Sequence, residues 1–117
     1  MSLSNQKHLK LYEKLIEAGI KKVKNKDLTS AEKDFSKAIK LDEKNQMAHI
    51  NLSNIYIIQN KINKAIKILM DYIYKYKNNE MILNHTAKFL YTYNLNDDLL
   101  ELFNQTKLNL NINNKKN

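Results

Sequence analysis

The chain has no cysteine, no proline and no arginine, and a single glycine, among its 117 residues. Without cysteine there is no disulfide framework, no thiolate metal site and no cysteine nucleophile, a composition that a reducing compartment tolerates. Without proline, and with Gly19 as its only glycine, little in the backbone chemistry interrupts a long helix. The dominance of Lys, Leu, Ile and Asn agrees with helices and argues against strands. Long apolar runs are missing as well: stretches such as Ile55 to Ile58 fall far short of the roughly 18 residues a membrane span needs. The opening MSLSNQKHLK lacks the apolar segment of a secretory signal, so the expectation is a soluble cytoplasmic protein of one domain.

Because arginine is absent, the net charge of +8 is carried by lysine alone. Residues 1 to 45 hold eleven Lys against seven acids, residues 46 to 79 five against one, and residues 80 to 117 four against four. Lys21, Lys22, Lys24 and Lys26, with Lys61, Lys64 and Lys67, form a cluster that attracts nucleic acid or an anionic membrane surface in one reading. Base reading, however, favours planar forks of donors that only arginine supplies among the cations, and no aromatic residue interleaves the cluster. A solvated face is the preferred interpretation, with electrostatic binding as the alternative.

What the sequence does contain is a period. Ala31, Ala65 and Leu99 stand 34 residues apart, and the same stride joins Gly19, Ser53 and Ala87, and Phe35, Leu69 and Phe103. Apolar positions between these marks are spaced by three and four, which places them on one side of a helix. The spacing predicts a first helix from about Ser4 to Lys24 with Ser4 as its N-cap, and a second opened by Thr29 or Ser30. A third helix begins at Asn45, a turn at Gln59 to Lys61 leads to a fourth starting near Ile62, and Asn78 and Asn79 close that unit. A fifth helix uses Leu83, Ala87, Leu90 and Tyr91, and a turn at Asn94 to Asn96 precedes a sixth. Beyond about Asn109 the polar tail LNINNKKN is expected to fray.

The pattern resembles the tetratricopeptide repeat, a 34-residue helix-turn-helix unit. Its first-helix signature reads here as Leu15, Ala18, Gly19, Lys22, then His49, Leu52, Ser53, Tyr56, then Leu83, Thr86, Ala87, Leu90. Its second-helix signature reads Ala31 and Phe35, Ala65 and Leu69, Leu99 and Phe103, with Ala38 completing the first. Small residues are needed where two helices cross closely, and the bulky residue fills the space one turn on. The chain departs from the family at the closing proline, replaced by Glu43, Lys77 and Asn111, at Tyr72 in place of a small Ala, and at Leu99. The resemblance implies an all-α, right-handed superhelix of three hairpins: an extension over 1 to 11, repeats over 12 to 45, 46 to 79 and 80 to 113, and a disordered tail over 114 to 117.

In this family the first helices line a concave groove, and the resemblance assigns to it Glu13, Ile16, Ile20, Val23 and Lys24 from repeat one. Repeat two gives Met47, Ile50, Asn51, Asn54 and Ile57, and repeat three Met81, Asn84, His85, Lys88 and Tyr91. Some family members clamp the terminal carboxylates of chaperones with three cations and two asparagines. The matching positions here hold Ile16, Ile20, Asn51, Met81 and His85, so the cations are gone. A carboxylate drawn from water needs charge-assisted partners, which argues against that use. A groove of apolar side chains and amides instead suits an amphipathic helix or an extended peptide of another protein. The competing interpretation is that Ile16, Ile20 and Ile50 pack between repeats or are covered by the chain's own ends.

Catalysis finds no support: His8, His49 and His85 show no ligand spacing, and neither a glycine-rich phosphate loop nor a Gly-x-Ser-x-Gly elbow is present. No catalytic residue, metal or cofactor is assigned. Asp97 and Asp98 are read as favouring the start of the sixth helix. The Asn-x-Ser/Thr matches at Asn51, Asn84 and Asn104 are what chance supplies in an Asn-rich chain. The sixth helix carries a stripe of Leu99, Leu102, Phe103 and Leu110 with no capping helix after it. The expectation is that it pairs with another chain, or that the sequence is a piece of a longer protein.

Overall fold

A computed structural model describes residues 3–77 and 79–106. Among the described residues the protein is helical and contains no strand. The helices are α1 (Leu3–Lys24), α2 (Leu28–Leu41), α3 (Gln46–Ile58), α4 (Ile62–Lys75), α5 (Glu80–Thr92) and α6 (Asn96–Thr106). The chain divides into two compact units, Met1–Leu69 and Met70–Asn117, the division falling within α4. Leu110 and the predicted frayed tail lie outside the described residues.

The turns carry the period in three dimensions. Lys26, Asn60 and Asn94, each 34 residues from the next, have φ of 63°, 60° and 55°. This is the left-handed region, which ends a helix by turning the chain back over its last carbonyls. The next amide then reaches five residues back: Asp27 N to Lys22 O at 2.8 Å, Lys61 N to Tyr56 O at 2.7 Å, Leu95 N to Leu90 O at 2.9 Å. The left-handed residue itself donates to the carbonyl three back, at 3.0 Å from Lys26 to Val23, 3.0 Å from Asn60 to Ile57 and 3.1 Å from Asn94 to Tyr91. The same Schellman closure is therefore built three times, with lysine at one left-handed position and asparagine at the other two, so backbone satisfaction holds the turn even where the residue is not one that favours it.

Helix starts differ in detail from the expected ones. Ser4 falls inside α1, and Thr29 and Ser30 lie inside α2, whose N-cap is Asp27. Because the left-handed Lys26 ends the turn there, Asp27 is the residue whose carboxylate reaches the free Ser30 amide, at 3.4 Å. Asn45, where the third helix is expected to begin, is instead the N-cap of α3, which starts at Gln46, and it accepts from Met47 N at 3.1 Å. Asp97 and Asp98 occupy the first turn of α6, where the helix dipole favours them.

In the first unit the core gathers Tyr12 and Ile16 from α1, Ala31, Phe35 and Ala38 from α2, and Ala48, Leu52 and Ile55 from α3, with Ile68 of α4 packed against it. Gly19 is buried at the crossing of α1 and α2: a Cβ built there would lie 2.6 Å from Cζ and 2.9 Å from Cδ1 of Phe35. Ordinary carbon contacts are about 3.5 to 4.0 Å, so only glycine fits. In the second unit Tyr72, Ile73, Ile82, Leu90 and Leu102 are buried. Tyr72, where the family has alanine, is accommodated with its ring 5.1 Å from that of Tyr76. Leu102 has no exposed surface, and Leu99 and Phe103 are half-buried. Of the anticipated apolar stripe on α6, Leu102 is spent on the interior while Leu99 and Phe103 keep part of their surface, and Leu100 is exposed.

Candidate functional site

A well-formed surface feature of the first unit lies along α1 and α3. Two contacts set these helices. The buried Tyr12 hydroxyl accepts a hydrogen bond from Ala48 N at 2.9 Å, satisfying one of the amides that the start of α3 leaves without a helical partner. Gly19 lets α2 press against the back of α1 through Phe35. The two helices then run in the same direction, Tyr12 beside the start of α3 and Val23 beside its end.

Two hollows lie between them. One, of about 460 Å³, is lined by Ile20, Val23, Lys24, Asn51, Asn54, Ile55, Ile57 and Ile58. The other, of about 310 Å³, is lined by Leu9, Tyr12, Glu13, Ile16, Glu17, Asn45 and Met47. Asn51 is held in place by its own helix, Nδ2 donating to Met47 O at 2.9 Å. A third hollow of about 330 Å³ lies between α1 and the end of α2 and is lined by Asn5, His8, Leu9, Leu41 and Asp42.

Most of the groove residues anticipated for the first two repeats therefore meet on one face: Ile20, Val23, Asn51, Asn54 and Ile57 in the larger hollow, and Met47 in the smaller. Ile16 belongs to the core and contributes only the floor of the smaller hollow. Ile50 is half-buried and lines neither. Leu9, Glu17 and Ile58 line the hollows without having been anticipated, although each stands four residues from an anticipated neighbour, Glu13 or Asn54, on the same helix. The remaining candidates lie on α5 in the second unit. There Met81, Asn84, Lys88 and Tyr91 are exposed, Tyr91 at 73 %, and His85 is half-buried. Burial, and then the Lys88 charge, lower the pKa of His85.

Three titratable groups of the first unit, His49, Asp34 and Lys22, are tied into its structure. His49 is buried; its Nε2 donates to the Glu43 carbonyl at 2.9 Å. Burial lowers its pKa, against the opposing pull of the Glu43 carbonyl and of the Glu43 charge. Of the lysine cluster, Lys22 is tied to the largely buried Asp34 at 2.7 Å, and Lys64 sits 5.5 Å over the Tyr56 ring. Lys21, Lys24, Lys26, Lys61 and Lys67 are exposed. Among the described residues no group of three His, Asp or Glu side chains is placed to hold a metal ion, and no helix is long and apolar enough to cross a membrane.

Compared with the curated proteins, the chain matches none. The family model described as tetratricopeptide repeat matches residues 22–88. That span runs from the last turn of α1 into α5, and it takes in two of the three left-handed turns, at Lys26 and Asn60. With the match covering more than half of its residues, the chain belongs to the tetratricopeptide repeat family, whose members are generally protein–protein interaction modules.

Proposed function

We propose that the face shared by α1 and α3 holds an apolar peptide or amphipathic helix of another protein and that the chain works as a non-enzymatic adaptor. The observation that supports this reading is the larger hollow, where Ile20, Val23, Ile57 and Ile58 stand together with Asn51 and Asn54 at one surface. Ile58 is 58 % exposed; covering such side chains is favourable by roughly 25 cal/mol per Å², and the amides meet polar groups of the visitor. The proposed adaptor is not a carboxylate clamp, because Ile16, Ile20, Asn51, Met81 and His85 bring no fixed cation to the positions where the family places three.

Selection from a displayed peptide library tests the proposal. The expected winners share apolar residues at three- and four-residue spacing, keep binding at physiological salt, and lose it with Ile57→Glu in a chain whose circular dichroism is unchanged. Binding that disappears between low and physiological salt, with no sequence preference, would transfer the function to the lysine surface and refute the groove.

A further inference from the structure

The groove is electrically polar along its length. Lys24 lines the hollow at the far end of α1 and α3, whereas Glu13 and Glu17 line the hollow at the near end. All three are exposed. Glu13 and Lys24 are eleven residues apart on one helix, about 16 Å along its axis, and the furrow between α1 and α3 is otherwise uncharged, with Ile20 and Val23 on α1 and Met47, Asn51, Asn54 and Ile57 on α3. Two parallel helices with an apolar furrow between them form the seat into which a third helix packs.

Resting on the groove reading above, we propose that the occupant is an amphipathic helix of another protein docked antiparallel to α1, with acidic residues in its first turn at Lys24 and basic residues in its last turn at Glu13 and Glu17. The direction follows from helix chemistry. Acids are favourable in a helix's first turn and cations in its last, so a helix that matches the groove's charges with its own dipole satisfied must enter N-terminus first at the Lys24 end. The reverse orientation, with the same charges facing their complements, places cations at the visitor's N-terminus and acids at its C-terminus. An extended peptide has no such dipole, and it leaves more backbone groups to satisfy than Asn51, whose Nδ2 already donates to Met47 O, and Asn54 can meet.

The test uses two hydrocarbon-stapled 16-residue probes of the same composition, with leucines at three- and four-residue spacing. One carries two Glu in the first turn and two Lys in the last, and the other has these exchanged. Fluorescence anisotropy at low salt is expected to favour the Glu-first probe by roughly five-fold, the scale of the charge–dipole contributions at the two ends of the visiting helix, since the Lys-first probe can make the same ion pairs only by lying the other way round. That preference should vanish in Lys24→Glu, and a nitroxide on the probe's N-terminus should broaden the amide signals of residues 54–58 rather than 45–47. Equal affinity of the two probes, or broadening at residues 45–47, refutes the polarity and leaves the groove standing if Ile57→Glu still abolishes binding. Failure of both probes to bind, or binding indifferent to Ile57→Glu, refutes the groove and the polarity together.

Discussion

Replacing Gly19 by alanine sets two effects of opposite sign against each other. Inside a helix the change is favourable by about 1 kcal/mol, because alanine has less backbone freedom to lose. Here, however, the added methyl lands 2.6 Å from Cζ and 2.9 Å from Cδ1 of Phe35, a side chain with no exposed surface. The ring must retreat by roughly 1 Å to restore a normal contact, and it retreats within a core that already holds Ala31, Ala38, Ala48, Leu52 and Ile55. Overpacking of this kind costs about 1 to 3 kcal/mol. A clash with several ring atoms at once belongs at the upper end, so the net expectation is a loss of about 2 kcal/mol. Urea titration by far-ultraviolet circular dichroism reads it as a lower midpoint at unchanged slope. Phe35→Leu, itself costing about 1 to 2 kcal/mol, should rescue the alanine: the double variant is expected to be more stable than the sum of the single losses by at least about 1 kcal/mol. A Gly19→Ala chain as stable as the parent, or strict additivity with Phe35→Leu, would show that the crossing is not the close contact described.

Tyr12→Phe leaves the buried Ala48 amide without its acceptor and is expected to cost about 1 to 3 kcal/mol, with faster hydrogen exchange at Ala48 as the local readout. Lys22→Met strips the counterion from the largely buried Asp34 and should lower the melting temperature clearly, whereas Lys21→Met on the exposed side should change it little. Lys26 occupies a left-handed conformation that asparagine tolerates better, so Lys26→Asn is expected to raise the urea midpoint by the equivalent of about 0.5 kcal/mol. Burial, as the leading cause, lowers the pKa of both His49 and His85 from 6.5. As the pH falls the unfolded chain therefore takes up their protons before the folded one. Stability should be complete above about pH 6.5 and decline below it until the lowered folded values are passed. Melting curves from pH 7.5 to 5 check this, and His49→Gln with His85→Gln should flatten the dependence.

The helices and their stride were legible because they rest on spacing alone. Gly19, Ala31 and Phe35 advertise a close crossing through size, and Asn45, Asn60 and Asn94 are residues whose short amides suit caps and left-handed turns. Lys26 was not legible as a turn residue of that kind, since lysine carries no such preference, and so the cap was placed on Thr29 or Ser30 instead of Asp27. Tyr12 reads in sequence as one more member of an apolar stripe; that its hydroxyl meets Ala48 depends on how near α3 approaches, which spacing within α1 cannot reveal. The same holds for Lys22 and Asp34, twelve positions apart on different helices. Family register assigns Ile16 to the groove, with packing between repeats as the competing reading, but small rotations about a helix axis decide between wall and core: Ile16 joins the core and reaches the smaller hollow only as its floor, and Leu102, read as part of an uncapped stripe, turns inward.

The hydroxyl of Tyr12 belongs to the first hairpin, while the amide it receives belongs to the next. Melting α1 therefore removes more than a greasy neighbour: it also opens the start of α3, which has already surrendered that amide to a side chain outside its own hairpin. Coupling in the first unit consequently runs both ways: fraying of α1 takes the acceptor from the start of α3, disorder in α3 takes the donor from Tyr12, and the two helices stabilise each other by the same amount.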